Sequence, residues 1–313
     1  MNTMFEVLGL LLGFALLIKG ADIFVDASVN IAYRLKIPTI IIGLTVIAFG
    51  TSAPELVISV SAAISGHNSM AISNIVGSNI YNLVMIVGLC ALIRPIIINL
   101  RDLAKDYWTS IIAAVLLLIM MIVFTDTIPR LASSVFLIAF FIYMIILVVQ
   151  AMKNRITEDN SDADTVPLPR NILLAILGVA LLIAGGQITV SNGVNLALSL
   201  GITERVIGLT VIAIGTSLPE LITTLIACKK QENDIAIGNI VGSNIFNILF
   251  ILGLSGIITP LPVDSNLIFD LVVLVAGSLL IFVFGCTGKR ISRPEGLTMV
   301  SMYSAYMVWV IFL

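Results

Sequence analysis

Fourteen residues in the first half of the chain, GLTVIAFGTSAPEL at 43–56, return as GLTVIAIGTSLPEL at 208–221, identical at 12 of 14 positions. Ten more, NIVGSNIYNL at 74–83, return as NIVGSNIFNI at 239–248, identical at 8 of 10 and displaced by the same 165 residues. The offset reaches back to the start of the chain, where Leu16, Leu17, Ile18 and Gly20 of LLGFALLIKG lie over Leu181, Leu182, Ile183 and Gly185. Self-similarity at one fixed offset means one folding unit present twice, and any fold proposed for the chain must be built from two like halves.

The material of those halves is apolar. Hydrophobic residues make up 59% of the 313, charged residues 11%, and mean hydropathy is +1.15. A soluble domain carries about a quarter charged residues, so soluble, disordered and nucleic-acid-binding classes are excluded. Runs of about 20 apolar residues are needed to cross a bilayer. They fall near 4–33, 38–65, 70–93, 105–124, 131–152, 170–199, 205–228, 234–258, 267–285 and 296–313. The first run has no basic segment before it and reads as a retained span. The polar, acidic stretch 153–169, KNRITEDNSDADTVPLP, separates 1–152 from 170–313 as a linker, and it lacks the glycine and closing glutamate of an EF-hand. Cys90, Cys228 and Cys286 lie far apart in apolar runs and read as core residues, and His67 as a solvated turn residue.

Five spans per half is an odd number, so the second half must enter the membrane from the opposite side. The expected fold is all-α and polytopic: ten transmembrane helices in two inverted five-helix repeats. Charge supports the count. Thirteen of the 16 Lys and Arg residues follow odd-numbered spans, and only Arg130 and Arg205 fall on the other side. The positive-inside rule then makes the linker cytoplasmic and puts both termini outside.

Within the second and seventh spans the repeated motifs carry GTSAPE (50–55) and GTSLPE (215–220). Proline lacks an N–H and its ring clashes one turn back, so both helices are expected to break, near Gly50 and near Gly215. Glu55 and Glu220 would then sit at the breaks beside Thr51, Ser52, Thr216 and Ser217. Carboxylates at that depth are unfavourable by a few kcal/mol or more unless a cavity or a cation meets them. Asn74, Ser78 and Asn82 recur every fourth residue on one face of the third span, as do Asn239, Ser243 and Asn247 in the eighth. The set is rich in oxygen and free of thiol and imidazole, which suits hard cations. Asp22, Asp26 and Lys19 in the long first span are expected at the cytoplasmic interface or paired together, and their counterparts Gln187 and Ser191 carry no charge.

At GTSAPE, GSNIYN, GTSLPE and GSNIFN the chain resembles the sodium/calcium exchanger family of the cation/calcium antiporter superfamily, in its prokaryotic form without a large regulatory insertion. The resemblance covers essentially the whole chain. It implies a cluster of cation sites at the membrane centre, with ligands Thr51, Ser52, Glu55, Ser78 and Asn82 from the first repeat. From the second come Thr216, Ser217, Glu220, Ser243 and Asn247, with the backbone carbonyls of Ala48 and Ala213 added. The implied function is secondary antiport of Na+ against Ca2+ across the cell membrane by alternating access, electrogenic, with the bilayer as surroundings and no cofactor. It is not an enzyme, and the first and sixth spans slide as gates. Well-known members often carry Asp where this chain has Asn247, which leaves a formal charge of −2 and keeps Ca2+/H+ exchange and K+-dependent exchange open as alternatives. A cation channel is the alternative from another class.

Overall fold

The computed structural model describes residues 3–66, 68–97, 100–124, 126–153, 167–200, 213–263, 265–288 and 290–312. His67, Arg205 and most of the expected linker, 154–166, lie outside these, as does 201–212, the first part of the expected seventh span.

The apolar runs form helices, in which each segment satisfies its own backbone groups without water. In the first half α1 covers Thr3–Leu35, α2 Thr39–Thr51, α3 Ala53–Ile64, α4 Asn68–Ile93, α5 Leu100–Val123 and α6 Arg130–Lys153. In the second, α7 covers Leu168–Ser199, α8 Ala213–Thr216, α9 Leu218–Lys229, α10 Asn233–Ile258, α11 Ser265–Gly288 and α12 Arg293–Phe312. Seven of them, α1, α4, α5, α6, α7, α10 and α11, are long and apolar enough to cross a membrane, and α2 with α3 makes an eighth, bent by 52°. The last expected span is the helix α12, which also carries Arg293, Glu295, Thr298, Ser301 and Ser304.

Both helix breaks fall two residues later than expected, at Ser52 and Ser217. These share one backbone conformation (φ −81°, ψ 11° and φ −90°, ψ 10°), and each following proline sits in the first turn of the next helix, where a missing N–H costs nothing. The boundary moves because proline is tolerated inside a first turn, so the disruption is taken up just before that turn.

Burial is inside out relative to a soluble protein. Phe5, Leu11, Leu131, Ile145, Met152 and Leu173 are exposed, whereas Thr51, Glu55, Asn79, Asn82, Glu220, Asn239 and Asn247 are fully buried. An apolar perimeter around a polar centre is what a lipid solvent selects. Cys90 and Cys228 are buried as expected, but Cys286 is exposed on that perimeter.

α1 and α7 pack along their length through small residues. A Cβ added to Gly13 would lie 3.0 Å from the Gly185 carbonyl, and one on Gly20 2.9 Å from that of Gly178. Numbers rise along α1 as they fall along α7, so these equivalent helices run antiparallel. The pairing is also an exchange, since Gly13 and Gly20 correspond at the 165-residue offset to Gly178 and Gly185. Two short antiparallel ribbons, absent from the all-α expectation, repeat the exchange. β1 (Ile96–Ile97) pairs with β4 (Arg290–Ile291), and β2 (Thr127–Ile128) with β3 (Leu261–Pro262). Each ribbon takes one strand from each half. The outer helices are clamped the same way in both halves: Tyr143 donates to Asp106 at 3.0 Å, joining α6 to α5, and Tyr306 to Asp270 at 2.8 Å, joining α12 to α11.

Candidate cation site

The two broken helices bring their serines and glutamates together across the halves. Ser52 Oγ donates to Glu220 Oε1 at 2.8 Å, and Ser217 Oγ to Glu55 Oε1 at 3.1 Å. Ser78 Oγ lies 3.1 Å from Ser217 Oγ and donates to Glu55 Oε1 at 3.4 Å. One step outward, Thr51 Oγ1 donates to Asn239 Oδ1 at 3.0 Å and Thr216 Oγ1 to Asn74 Oδ1 at 3.5 Å. Asn74 and Asn239 in turn donate to Ser59 and Thr224, at 3.1 and 2.9 Å. The serine–glutamate, threonine–asparagine and asparagine–hydroxyl bonds each have a counterpart at the offset of 165, so the polar centre lies on a pseudo-twofold axis.

Of the residues expected to ligate, Thr51, Ser52, Glu55, Ser78, Asn82, Thr216, Ser217, Glu220, Ser243 and Asn247 are all buried. The hydroxyls of Ser52 and Ser217 hold one oxygen of each carboxylate. The other oxygens, Glu55 Oε2 and Glu220 Oε2, are buried without a hydrogen-bond partner, as are Asn82 Oδ1, Ser243 Oγ and Asn247 Oδ1. Such groups are rare and costly inside a protein, and in hydrocarbon an ionised carboxylate is costlier still. Among the described residues, no lysine, arginine or histidine forms an ion pair with either glutamate. Bare oxygens converging from four helices are suited to a hard cation, which takes six to eight oxygen ligands when it is Ca2+.

The Ala48 carbonyl accepts the Ser52 N–H at 3.0 Å and the Thr51 hydroxyl at 3.3 Å. Ala213 opens α8, and its side chain lies outside the described set. Asn74 and Asn239, expected on one face with the serines, spend their oxygens on the hydroxyls of Thr216 and Thr51 and their NH2 groups on Ser59 and Thr224. π-helical stretches begin at Tyr81 and Phe246, just before Asn82 and Asn247, and an extra residue per turn rotates those two side chains about the helix axis relative to the serines before them.

The sequence reading missed Asn79 and Asn244. Both are buried, and they face one another across the axis: Asn79 Nδ2 donates to the Asn244 carbonyl at 3.2 Å and Asn244 Nδ2 to the Asn79 carbonyl at 3.3 Å. Their repetition within GSNI is a visible signal, but they lie one residue off the face that Ser78 and Ser243 define.

Outside the centre the halves differ. Lys230, just after α9, binds Asp22 at 2.6 Å and Asp26 at 2.7 Å, and Lys19 binds Asp22 at 3.2 Å. The pairing expected within α1 is present between Lys19 and Asp22, and a lysine from the other half holds both aspartates as well. At the equivalent place in the opposite half, Gln187, Ser191 and Ser65 offer no charge, and a cavity of about 320 Å³ lies between α7 and α3. Gly186, Gln187 and Val190 line one wall, Ala53, Pro54 and Val57 the other, and Thr216 and Pro219 also line it.

A family model described as sodium/calcium exchanger protein matches residues 5–149 and 170–312. The sodium/calcium exchanger MaX1 of Methanosarcina acetivorans is 34% identical over 342 residues, covering 97% of this chain and 98% of that protein. The inner membrane protein YrbG of Escherichia coli is 34% identical over 317 residues, covering 97% and 95%. The sodium-calcium exchanger NCX_Mj, soaked with 10 mM Na+ and zero Ca2+, superposes with a TM-score of 0.84 at 32% identity over 98% of this chain and 99% of that one.

Proposed function

The chain belongs to the sodium/calcium exchanger family, whose members are integral membrane transporters, and from that premise we propose that it extrudes Ca2+ at the expense of an inward Na+ gradient through one centrally placed site. The observation that carries this reading is the pair of buried carboxylates, each with one oxygen held by a serine of the other half and one left bare. Thr51, Ser52, Glu55, Ser78, Asn82, Thr216, Ser217, Glu220, Ser243 and Asn247 form the site, with the carbonyls of Ala48 and Ala213 contributing. A formal charge of −2 is neutralised by one Ca2+. Three Na+ in its place leave +1, so exchange at that ratio moves one charge per cycle and draws about 2.3 kcal/mol from each 100 mV.

We read the chain as ten spans in two inverted repeats, 1–152 and 170–313, joined by a cytoplasmic linker at 153–169. Antiparallel packing of the equivalent helices α1 and α7 and the lysine–arginine asymmetry support this, and alternating access follows from exchanging the conformations of the halves. The orientation puts the cavity between α7 and α3 on the external side and Lys230 on the cytoplasmic side. α1 is then closed against α9 and tied there, while the outer route leads to Thr216. The conformer described is outward-facing.

The direct test is uptake of 45Ca2+ into proteoliposomes loaded with Na+ and diluted into Na+-free buffer, without K+ and with the pH gradient collapsed. Uptake is expected to require internal Na+ and nothing else. Uptake that follows the proton gradient, needs K+ or ignores every counter-ion assigns the site a different coupling.

Lys230→Met tests the closure. Each partly exposed ion pair contributes about 0.2–1 kcal/mol, so losing both, about 0.4–2 kcal/mol, shifts the balance toward the inward-facing state about two- to thirtyfold. Because apparent affinity scales with the population of the competent state, half-saturating cytoplasmic Ca2+ should fall by that factor. Side-specific affinities identical to those of the unmodified protein would remove the tie from the mechanism.

A further inference from the structure

Glu55 and Glu220 give the candidate site its charge, but the neutral oxygens of Asn82 and Asn247 reach it only if each amide is turned the right way round. An asparagine side chain offers an oxygen on one side and an NH2 group on the other, and only the oxygen can meet a cation. The structure shows what fixes the choice. Asn247 Nδ2 donates to Asn79 Oδ1 at 2.9 Å, and Asn82 Nδ2 donates to Asn244 Oδ1 at 3.3 Å. In both cases the oxygen left over, Asn247 Oδ1 or Asn82 Oδ1, is the buried unpartnered one. The acceptors are themselves locked, since Asn79 and Asn244 spend their own NH2 groups on each other's backbone carbonyl. Turning any one of the four amides would set oxygen against oxygen or NH2 against NH2 inside a buried cluster.

We infer that Asn79 and Asn244 are positioning residues, which clamp the amides of Asn247 and Asn82 so that both present oxygen to the transported cation and neither presents NH2. The inference rests on the proposed cation site and adds to it a reason for the identity of residue 247. Asn79 Oδ1 requires a donor opposite it, which asparagine supplies and aspartate, ionised, does not. Asn79 and Asn247 form a matched pair, as do Asn244 and Asn82, and a site of charge −2 follows from the pairing and not from position 247 alone.

The test is Ca2+ binding by purified full-length protein, measured for Asn79→Leu, Asn247→Asp, the two combined, and Glu55→Gln. Removing a group that orients a metal ligand typically weakens metal binding between about 10- and 100-fold, and that loss is expected in N79L, with the mirror variant N244L behaving alike. In the N79L/N247D double variant the carboxylate presents oxygen whichever way it turns, so affinity should return to within a few-fold of the unmodified protein. A folding defect would not be repaired by adding a buried charge, and this separates orientation from structural damage. Unchanged affinity in N79L, or a double variant as weak as N79L while N247D alone binds normally, overturns the clamp. If Glu55→Gln also binds normally, it is the site assignment that fails. If Glu55→Gln abolishes binding and N79L does not weaken it, only the clamp fails.

Discussion

Replacing either glutamate by glutamine is expected to abolish Ca2+ transport, and to do so equally at Glu55 and Glu220. The amide keeps the shape of the side chain and an oxygen for the serine that donates to it, Ser217 at Glu55 and Ser52 at Glu220, so the local geometry survives. What is lost is half the negative charge facing a divalent cation at a buried site. Removing one partner from a buried charge pair costs about 3–5 kcal/mol, more than a hundredfold in affinity at about 1.4 kcal/mol per decade. The sign reverses for the protein without ions, where an unpaired buried carboxylate is a burden. The glutamine variants should therefore unfold at the same or a higher temperature than the unmodified protein when Ca2+ is absent, and should lose the stabilisation that Ca2+ gives by binding the folded state. Thermal unfolding with and without Ca2+, beside 45Ca2+ uptake, checks both. Near-normal uptake by either variant would falsify the site assignment, and destabilisation without Ca2+ would mean that the carboxylate is a structural group.

The second large effect is expected at a residue without a side chain, Gly242. It lies on α10 one residue before Ser243, where that helix crosses α2. A Cβ built there would stand 2.6 Å from the Leu44 carbonyl oxygen, 2.7 Å from its Cα and 2.8 Å from the Ala48 Cβ. None of these atoms is the end of a flexible side chain, so the helices themselves must part. Overpacking by a single methyl group typically costs about 1–3 kcal/mol. Gly242→Ala should fold with a lowered unfolding temperature, and Gly242→Val should fail to give stable protein. The surviving alanine variant should also transport poorly, because α2 carries Thr51 and α10 carries Ser243 and Asn247, and separating the two helices spreads the oxygens apart. Size-exclusion profiles in detergent and thermal midpoints read the first expectation, and uptake reads the second. A valine variant with unaltered stability and transport would show that the crossing has slack that the close approach denies.

The sequence is most legible where lipid makes a polar or apolar residue expensive in the wrong place. Runs of about 20 apolar residues mark the described helices to within a few positions. Glu55 and Glu220 stand out because a carboxylate has few reasons to lie in such a run, and the fixed offset ties each to Thr, Ser and Pro neighbours. Features that depend on contacts between halves some 165 residues apart stay hidden. The two ribbons each take a strand from either half, and Lys230 reaches Asp22 and Asp26 from the second half. Asn79 and Asn244 look like off-face residues until their partners are seen across the axis. Residue order is enough to establish two like halves, the course of most of their helices, and one buried carboxylate at a proline break in each. That each half holds the other's glutamate and turns the other's amide emerges only from the packed molecule, because a hydrogen bond depends on the relative position of two groups in space, and periodicity along one chain does not encode how the copies meet.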